Sequence, residues 1–342
     1  MSQKRALITG ITGQDGSYLA ELLVARDYQV NGLVRRSSHD ISEPVETLRL
    51  QGAVELVYAD MRDTKSIKRA LERSQPDEIY NLASQSHVGL SFEIPEETFA
   101  INSDATTTLV QAALAQNPNV RIYQASSSEM FGDASGPQNE MTAMHPTNPY
   151  GESKLQAYRE AVLKPRTEQG AFICSGILYN HESPRRGKQF VTRKITHSFA
   201  KIKCNLQDTL EVGNIHALRD WGYAADYVDA MWRMMQHDTP DDFVIATGTL
   251  HSVKDVIDTA AHALGMTLTW NGEGVDERAV DEQGITRVSI NPKFYRPIDH
   301  VQNLVGDSTK AREILNWKPI TDFATLITLM VQHDLAELQS HV

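Results

Sequence analysis

Two periodicities alternate along the first half of the chain. Short apolar runs, typical of buried β-strands, occupy residues 5–9, 29–34, 54–60, 78–83, 121–125 and 172–178. Between them, apolar residues at helical spacing predict helices around 19–26, 65–74, 95–115 and 149–163, the last ended by Pro165. Strands that alternate with helices in this way predict an α/β fold with a doubly wound parallel sheet.

The pattern changes after residue 180. Residues 181–214 are rich in Arg and Lys and predict a lobe outside the sheet, whereas the apolar run at 243–248 predicts a strand that returns to it. Amphipathic or apolar helices follow at 252–264, 308–317 and 323–338. We therefore expect a first domain made of residues 1–178 with 219–248. A smaller, mainly C-terminal α/β domain would consist of residues 179–218 and 249–342.

Charge and cysteine usage exclude several classes of protein. The 342 residues carry a formal net charge of −11, which argues against general affinity for nucleic acid or an anionic membrane surface. The two cysteines, Cys174 and Cys204, show no metal-binding or redox spacing, and no metal is expected. No apolar stretch reaches 18 residues, and the first residues lack the apolar region of a signal peptide, so we expect a cytoplasmic protein.

A glycine-rich turn follows the first predicted strand. Gly10, Gly13 and Gly16 lie between that strand and a predicted helix, where glycine lets the backbone turn tightly and approach a pyrophosphate. This context predicts dinucleotide binding on a Rossmann-type sheet. The spacing is the one common in short-chain dehydrogenases.

The end of the second strand indicates which dinucleotide binds. NAD-binding proteins usually place an acidic residue there, but this chain has Arg35 and Arg36, which suit the 2′-phosphate of NADP. A solvated basic turn is the alternative interpretation. Asp60 and Leu82, which follow the third and fourth strands, are expected near the adenine and the ribose.

A second constellation lies near the fifth strand and the helix that follows it. Tyr150 and Lys154 are spaced so that they share one helical face, and an ammonium beside the phenol is expected to lower the pKa of Tyr150. One serine of the run Ser126–Ser128, at the end of the fifth strand, can hydrogen-bond the hydroxyl that Tyr150 deprotonates; a polar loop is the alternative interpretation of this run. Glu129 has no role in a simple dehydrogenase but suits a dehydratase, which needs a base for a C–H proton. A solvated surface acid is the alternative for Glu129.

These motifs resemble the GDP-mannose 4,6-dehydratase family of extended short-chain dehydrogenases/reductases. The resemblance runs from residue 5 to about 320. It rests on the segments at 10–19, 34–38, 180–187, 190–194, 219–222, 226–228, 244–248 and 295–297. It implies an NADP-dependent hydro-lyase of deoxysugar biosynthesis that oxidises C4 of the hexose, eliminates water across C5 and C6, and returns the hydride to C6. The first domain would then bind NADP, and the second the GDP-sugar.

The resemblance also implies roles for individual residues. The catalytic residues would be Ser127, Glu129, Tyr150 and Lys154. The cofactor would be held by Gly10, Gly13, Asp15, Gly16, Arg35, Asp60, Leu82, Tyr150, Lys154, His181 and Arg186. The GDP-sugar would be held by Ser86, Ser128, Asn180, Lys194, Gly213, Arg219, Arg278 and Tyr295. The basic residues concentrated in the segment 185–194 would serve a diphosphate ligand; a solvated basic face is the alternative.

Several positions depart from the family pattern. They include Ser127, where the family usually has Thr, and Thr147–Tyr150, where it usually has Arg-Ser-Pro-Tyr. Another GDP-sugar such as GDP-heptose, a related reductase or epimerase, and a non-enzymatic nucleotide sensor therefore remain alternative functions. The resemblance also implies a homo-oligomer. Helices near 95–115 and 149–163 would form the interface of a homodimer, and the loop Arg35–Ser38 would reach a neighbouring subunit in a homotetramer.

Overall fold

The computed structural model describes residues 3–35, 43–294 and 304–340. The strands are β1 (Arg5–Thr9), β2 (Gln29–Val34), β3 (Val54–Tyr58), β4 (Glu78–Asn81), β5 (Arg121–Ser127), β6 (Ile173–Leu178), β7 (Asn180–Glu182), β8 (Leu210–Val212), β9 (Leu218–Tyr223), β10 (Asp242–Ile245), β11 (Leu250–Ser252), β12 (Thr269–Asn271), β13 (Arg278–Val280) and β14 (Thr286–Ile290). The α-helices are α1 (Gln14–Ala25), α2 (Glu43–Leu50), α3 (Thr64–Ser74), α4 (Val88–Ser91), α5 (Pro95–Phe99), α6 (Ala105–Gln116), α7 (Pro149–Ala157), α8 (Lys164–Gln169), α9 (Val191–Lys203), α10 (Ala224–Gln236), α11 (Val253–Ala263), α12 (Thr309–Leu315) and α13 (Phe323–Ser340).

Seven parallel strands form the main sheet, in the order β10-β6-β5-β4-β1-β2-β3. This confirms the predicted doubly wound α/β fold. The strand order reverses at β1, where β2 pairs on one side and β4 on the other. In such sheets the crevice at the carboxyl ends of the strands next to the reversal is the usual ligand site.

Apolar residues cover both faces of the main sheet. Along β1, Leu7 joins a core under α3 and α6, whereas Ala6 and Ile8 join a core under α1 and α10, because successive side chains of a strand point to opposite faces. Burial on both faces explains why the strand appears in the sequence as a continuous apolar run.

Two smaller sheets lie outside the main one. They have the orders β11-β9-β7 and β12-β13-β14-β8. A third apolar core, with Phe199, Ile257 and Ile327 among its fully buried members, joins α9, α11 and α13. Within the described residues, no helix combines the length and apolar character that crossing a membrane requires.

Pro165 does not end the helix that begins at Pro149, contrary to the sequence-based expectation. A wide π-helical turn, Tyr158–Leu163, follows α7 and leads directly into α8, which contains the proline in its first turn. The wide turn before Pro165 departs from the usual α-helical hydrogen bonds, since the Lys164 N–H donates to the Arg159 carbonyl five residues earlier, and this local change accommodates the proline. The helical segment ends instead at Gly170, whose φ of 66° allows a left-handed cap.

Candidate active site

The glycine-rich turn is shaped by close backbone contacts. Gly10 has a φ of 70°, and the Gly13 N–H donates to the Gly10 carbonyl at 3.0 Å. A Cβ on Gly16 would collide with the Gly10 carbonyl oxygen and lie 2.6 Å from the Ile11 Cα. Gly13 is the N-cap residue of α1, and no side chain caps the start of this helix. The free N–H groups of this helix N-terminus therefore form a cradle that fits an anionic group such as a pyrophosphate.

A cleft of about 580 Å³ opens beside this cradle, at the carboxyl ends of the main-sheet strands. Every residue that the sequence nominated for the cofactor lines it, and so do all four nominated catalytic residues. Of the nominated substrate residues, the cleft is lined by Ser86, Ser128 and Asn180.

A buried polar network supports the floor of the cleft. The Thr9 hydroxyl donates to Asn81 Oδ1 at 2.6 Å and accepts from the backbone N–H groups of Leu82 and Ala83, each at 3.0 Å. The Asn81 amide in turn donates to Gln124 Oε1 at 2.7 Å. The network was not predicted from the sequence, although polar side chains at buried strand positions were the available signal. Its bonds fix the backbone that follows β4 against the cradle.

Two arginines lie near the predicted adenine end of the cleft. Arg35 lines it, and so does Arg62, which was not nominated from the sequence. The pKa of Asp60 is lowered, first by hydrogen bonds from Arg62 and also by the charge of Arg35. The nominated loop continues at Arg36, which lies outside the described residues.

Tyr150 lies in the first turn of α7 and is 9% exposed. Burial raises the pKa of Tyr150 to about 12, and hydrogen bonding to Ser127 opposes this rise. This direction is the reverse of the sequence-based expectation that a lysine neighbour lowers it. The phenol is therefore protonated at neutral pH in this state of the protein.

Lys154 follows one turn later on α7. Its Nζ donates to the Ala125 carbonyl at 3.0 Å and lies 5.7 Å from the centre of the Tyr150 ring. Burial lowers the pKa of Lys154 to about 8. The ammonium is thus hydrogen-bonded to the backbone of β5 and lies near the Tyr150 ring. With this pKa it is still mostly charged at neutral pH.

Glu129 sits in a short 3-10 turn, Ser128–Met130, directly after β5. The backbone N–H of Glu129 donates to the Ser127 hydroxyl at 3.2 Å. Its carboxylate accepts a hydrogen bond from the side-chain amide of Asn148 at 2.7 Å, a partner that was not nominated from the sequence. A Cβ on Gly151 would lie 2.5 Å from the Glu129 carbonyl oxygen, so this glycine lets α7 approach the turn closely.

His181 and Asp15 join β7 to the start of α1. His181 Nε2 lies 2.8 Å from the Asp15 carboxylate, and Nδ1 lies 2.7 Å from the Tyr179 carbonyl oxygen. Burial alone would lower the pKa of His181, but Asp15 raises it; the charge of His181 likewise lowers the pKa of Asp15 against the effect of burial. Because both ring nitrogens face acceptors, the imidazolium form fits this position.

The basic segment 185–194 does not converge on the cleft, contrary to the expectation. Arg186 lines the cleft, but Arg185 pairs with Glu21 at 2.7 Å and Lys188 pairs with Glu337 at 3.0 Å. Arg193 is buried against Asp334. Arg185, Arg186 and Lys188 precede α9, whereas Arg193 lies on it, so this run of positive charge in the sequence is divided among several partners.

Five nominated substrate residues remain, and the four that the structure describes do not line the cleft. Lys194 donates to the Glu211 carbonyl at 2.7 Å, and its Nζ lies 4.4 Å from the Phe294 ring. Gly213 packs against the backbone of that same Phe294. Arg219 on β9 and Arg278 on β13 do not line the cleft either. Tyr295 lies outside the described residues.

Comparison with known proteins identifies the family to which the chain belongs. The family description "GDP-mannose 4,6 dehydratase" matches residues 7–330. A relative from Caenorhabditis elegans, "GDP-mannose 4,6 dehydratase 2", is 46% identical over 99% of this chain and 91% of its own length. The chain belongs to the GDP-mannose 4,6-dehydratase family.

Solved structures share the fold of this family member at lower identity. RMD from Pseudomonas aeruginosa, complexed with NADPH, superposes with a TM-score of 0.77 at 21% identity, covering 98% of this chain and all of that one. The dTDP-glucose 4,6-dehydratase from Bacillus anthracis, in complex with NAD, gives a TM-score of 0.80 at 16% identity, covering 99% and 98%. Together they confirm the expected α/β fold with a doubly wound parallel sheet.

Proposed function

We propose that this chain converts GDP-mannose to GDP-4-keto-6-deoxymannose and water. The observation that carries this function is the placement of two proton-transfer groups, Tyr150 and Glu129, in one cleft with the glycine cradle. One group would serve oxidation at C4, and the other would serve elimination across C5 and C6. Membership of the dehydratase family supports the same reaction.

Tyr150 is the group for the C4 hydroxyl. As a phenolate it would accept the O4 proton while the C4 hydride leaves, and it would return that proton if the ketone were reduced. Two groups of this chain favour the phenolate: the Ser127 hydroxyl by hydrogen bonding, and the Lys154 ammonium by its charge near the ring. The nicotinamide, when bound, supplies the hydride chemistry by accepting hydride from C4 and donating it at C6.

Glu129 is the base for the elimination. A ketone at C4 acidifies the C5 proton, which the Glu129 carboxylate would take. The resulting carboxylic acid can donate a proton to the departing C6 hydroxyl, with the Ser128 hydroxyl in the same cleft. The same carboxyl group thus alternates between base and acid in the loss of water. Hydride return at C6 then requires one proton at C5, which balances the proton removed from O4.

The proposed cofactor is NADP. The residues present fit a dinucleotide, because the tight turn tolerates no Cβ at Gly16 and the start of α1 has no side-chain cap, which leaves its first N–H groups for an anion. Arg35 and Arg62 lie in the part of the cleft that also contains Asp60, and guanidinium groups suit a ribose 2′-phosphate. The neighbours' NADPH and NAD support a nicotinamide dinucleotide in general.

We also propose that the GDP portion extends from the cleft toward α9 and the end of β8. Asn180 provides the cleft side of this path, while Lys194 and Gly213 lie beside Phe294 farther away. In this assignment the main sheet holds the cofactor, and the elements packed around the third apolar core hold the nucleotide-sugar. A homodimer or homotetramer remains our proposal for the assembly.

The test uses the purified protein with GDP-mannose and a catalytic amount of NADP⁺, without added NADPH. We expect the sugar nucleotide to lose the mass of one water with no net consumption of cofactor. Stoichiometric consumption of added NADPH would indicate a reductase instead. No conversion of GDP-mannose, with conversion of another GDP-sugar, would reassign the substrate.

The variant Glu129→Gln separates the two half-reactions. The variant should still reduce the cofactor by hydride transfer from C4 of the sugar. Its rate of elimination should fall by about 10²- to 10⁴-fold, the usual contribution of a positioned acid–base group. Glu152→Gln is the matched control, because Glu152 is an exposed acid on α7 that does not line the cleft. Full dehydration by Glu129→Gln would refute the assigned base.

A further inference from the structure

Asn148 connects the turn that carries Glu129 with the helix that carries Tyr150. It precedes α7 as its N-cap residue and is almost fully buried, with 5% of the residue exposed. Asn148 Oδ1 accepts a hydrogen bond from the Gly151 N–H at 2.8 Å, and Asn148 Nδ2 donates to Glu129 Oε2 at 2.7 Å. One amide group therefore serves two different elements.

The helix fixes which way this amide faces. A backbone N–H can only donate, so the edge of the amide that meets Gly151 must be its oxygen. The NH₂ edge must then face Glu129. The orientation does not depend on distinguishing oxygen from nitrogen in the side chain itself, because the first turn of α7 imposes it.

Helix capping alone does not require an amide. Ser, Asp and Asn cap helices about equally well, since each offers one acceptor oxygen to the first turn. The donor edge is thus an additional property, and it is aimed at the carboxylate to which we assign the elimination. The backbone of the two elements is also in close contact, as the Gly151 position shows.

We propose that Asn148 is a positioning residue for Glu129, which holds the carboxylate by its side-chain amide in the place from which it takes the C5 proton. This inference rests on the proposed dehydration. A hydrogen bond to a carboxylate favours its ionised form over the protonated one, and it restricts the side chain to one rotamer. Both effects favour the base before proton transfer.

Other ionisable groups lie on the elements around this turn and line the same cleft. Tyr150 and Lys154 belong to α7, and Asp15 and Arg186 lie across the cleft, where each influences the pKa of Tyr150. His145, on the loop before α7, is exposed. A change at Asn148 leaves these groups in place, so they are common to all variants compared below.

The experiment is a double-mutant cycle of wild type, Asn148→Asp, Glu129→Gln and the variant with both substitutions. Asn148→Asp keeps a capping oxygen but places a second carboxylate against Glu129. We expect a lower denaturation midpoint at neutral pH for Asn148→Asp. The double variant should recover, because the introduced glutamine amide can donate to the introduced aspartate carboxylate, which reverses the original donor and acceptor. The swapped pair lacks the base, however, and should stay inactive.

Kinetics provide the second readout. Asn148→Asp should lower kcat by about 10²-fold, the lower range for a general base, with KM unchanged. The acid limb of its pH profile should move to higher pH, because two adjacent carboxylates hold a proton more tightly. Asn148→Ser is the control for capping: it loses the hydrogen bond to Glu129 but adds no charge, so its stability and its kcat should both lie between those of wild type and Asn148→Asp.

The outcomes distinguish the two proposals. Asn148→Asp could change the denaturation midpoint equally in the wild-type and Glu129→Gln backgrounds and leave the pH profile of activity unchanged. In that case Asn148 is a helix cap only, and the inference is overturned. If wild type does not dehydrate GDP-mannose, the proposed function fails, while the stability cycle still decides whether the amide holds the carboxylate.

Discussion

Lys154 should make the protein less stable at neutral pH, and replacing it with Met should stabilise the chain. The residue is 4% exposed, and burial lowers its pKa from the usual 10.5 to about 8. The folded protein therefore binds a proton at this site less tightly than the unfolded chain does. A side chain retained for chemistry at such a cost is typical of active sites.

The magnitude follows from linkage between folding and protonation. A pKa that falls from 10.5 to about 8 on folding corresponds to about 3 kcal/mol of destabilisation at pH 7, where both states bind the proton. Methionine also loses the Lys154 hydrogen bond to the Ala125 carbonyl, which costs about 1 kcal/mol. The expected net stabilisation of Lys154→Met is therefore about 2 kcal/mol at pH 7.

The direction of the Lys154 pKa shift determines how the stability difference between the two proteins varies with pH. Between pH 8 and 10.5 the unfolded chain holds this proton while the folded protein has released it, so wild-type stability gains from rising pH. The advantage of Lys154→Met should accordingly shrink by about 2 kcal/mol between about pH 7 and 9.5. Comparing the two proteins at each pH cancels the titration of other groups, such as the Cys174 thiol, whose pKa burial raises to about 11.

The assay is urea denaturation of wild type and Lys154→Met without cofactor, at several pH values in that window. Lys164→Met is the control, because Lys164 is exposed on α8 and should change stability by less than about 0.5 kcal/mol. Lys154→Met should also lose activity. A variant that is less stable than wild type at pH 7, or whose difference does not vary with pH, would refute the reasoning.

Two further predictions concern the cofactor and the third apolar core. Arg35→Ala should weaken NADP⁺ binding by about tenfold, a loss of about 1.4 kcal/mol, and leave NAD⁺ binding unchanged, as measured by fluorescence titration of both dinucleotides; an equal loss for both would contradict the role of Arg35 at the 2′-phosphate. Asp334→Ala should lower the free energy of unfolding by about 3–5 kcal/mol, because fully buried Asp334 accepts from Arg193 at 2.6 Å and from Thr196 at 2.7 Å, and its loss leaves a buried guanidinium without its main partner. Glu337→Ala is the control for that variant, since Glu337 is 35% exposed and lies 3.4 Å from the same arginine, so its removal should cost less than about 1 kcal/mol in urea denaturation.

The glycine-rich turn is the region where sequence and structure agree most closely. Gly10, Gly13 and Gly16 could be assigned from sequence because their function depends on local backbone geometry and on neighbours a few residues away. The parallel strands were equally predictable, since burial on both faces requires continuous apolar runs. Tyr150 and Lys154 share a helical face for the same local reason.

Pro165 shows the limit of a local rule. Proline usually ends a helix, yet here the π-helical turn directly before α8 accommodates it and the helical segment continues to Gln169. That turn depends on how the segment packs against the sheet, which the residue types do not specify. The pKa of Tyr150 differs from expectation for a similar reason, because burial in the folded protein outweighs the nearby charge.

The sequence by itself determined the order along the chain of the strands in the main sheet and the glycine-rich turn between β1 and α1, because each depends on short-range periodicity or on local backbone geometry. Only the tertiary structure decided which charges reach the cleft. Arg186 does, whereas Arg193 turns to Asp334, 141 residues later in the chain. It also decided that the Asn148 amide faces Glu129. Such pairings depend on elements distant in sequence, and the packing that brings them together is a property of the whole chain.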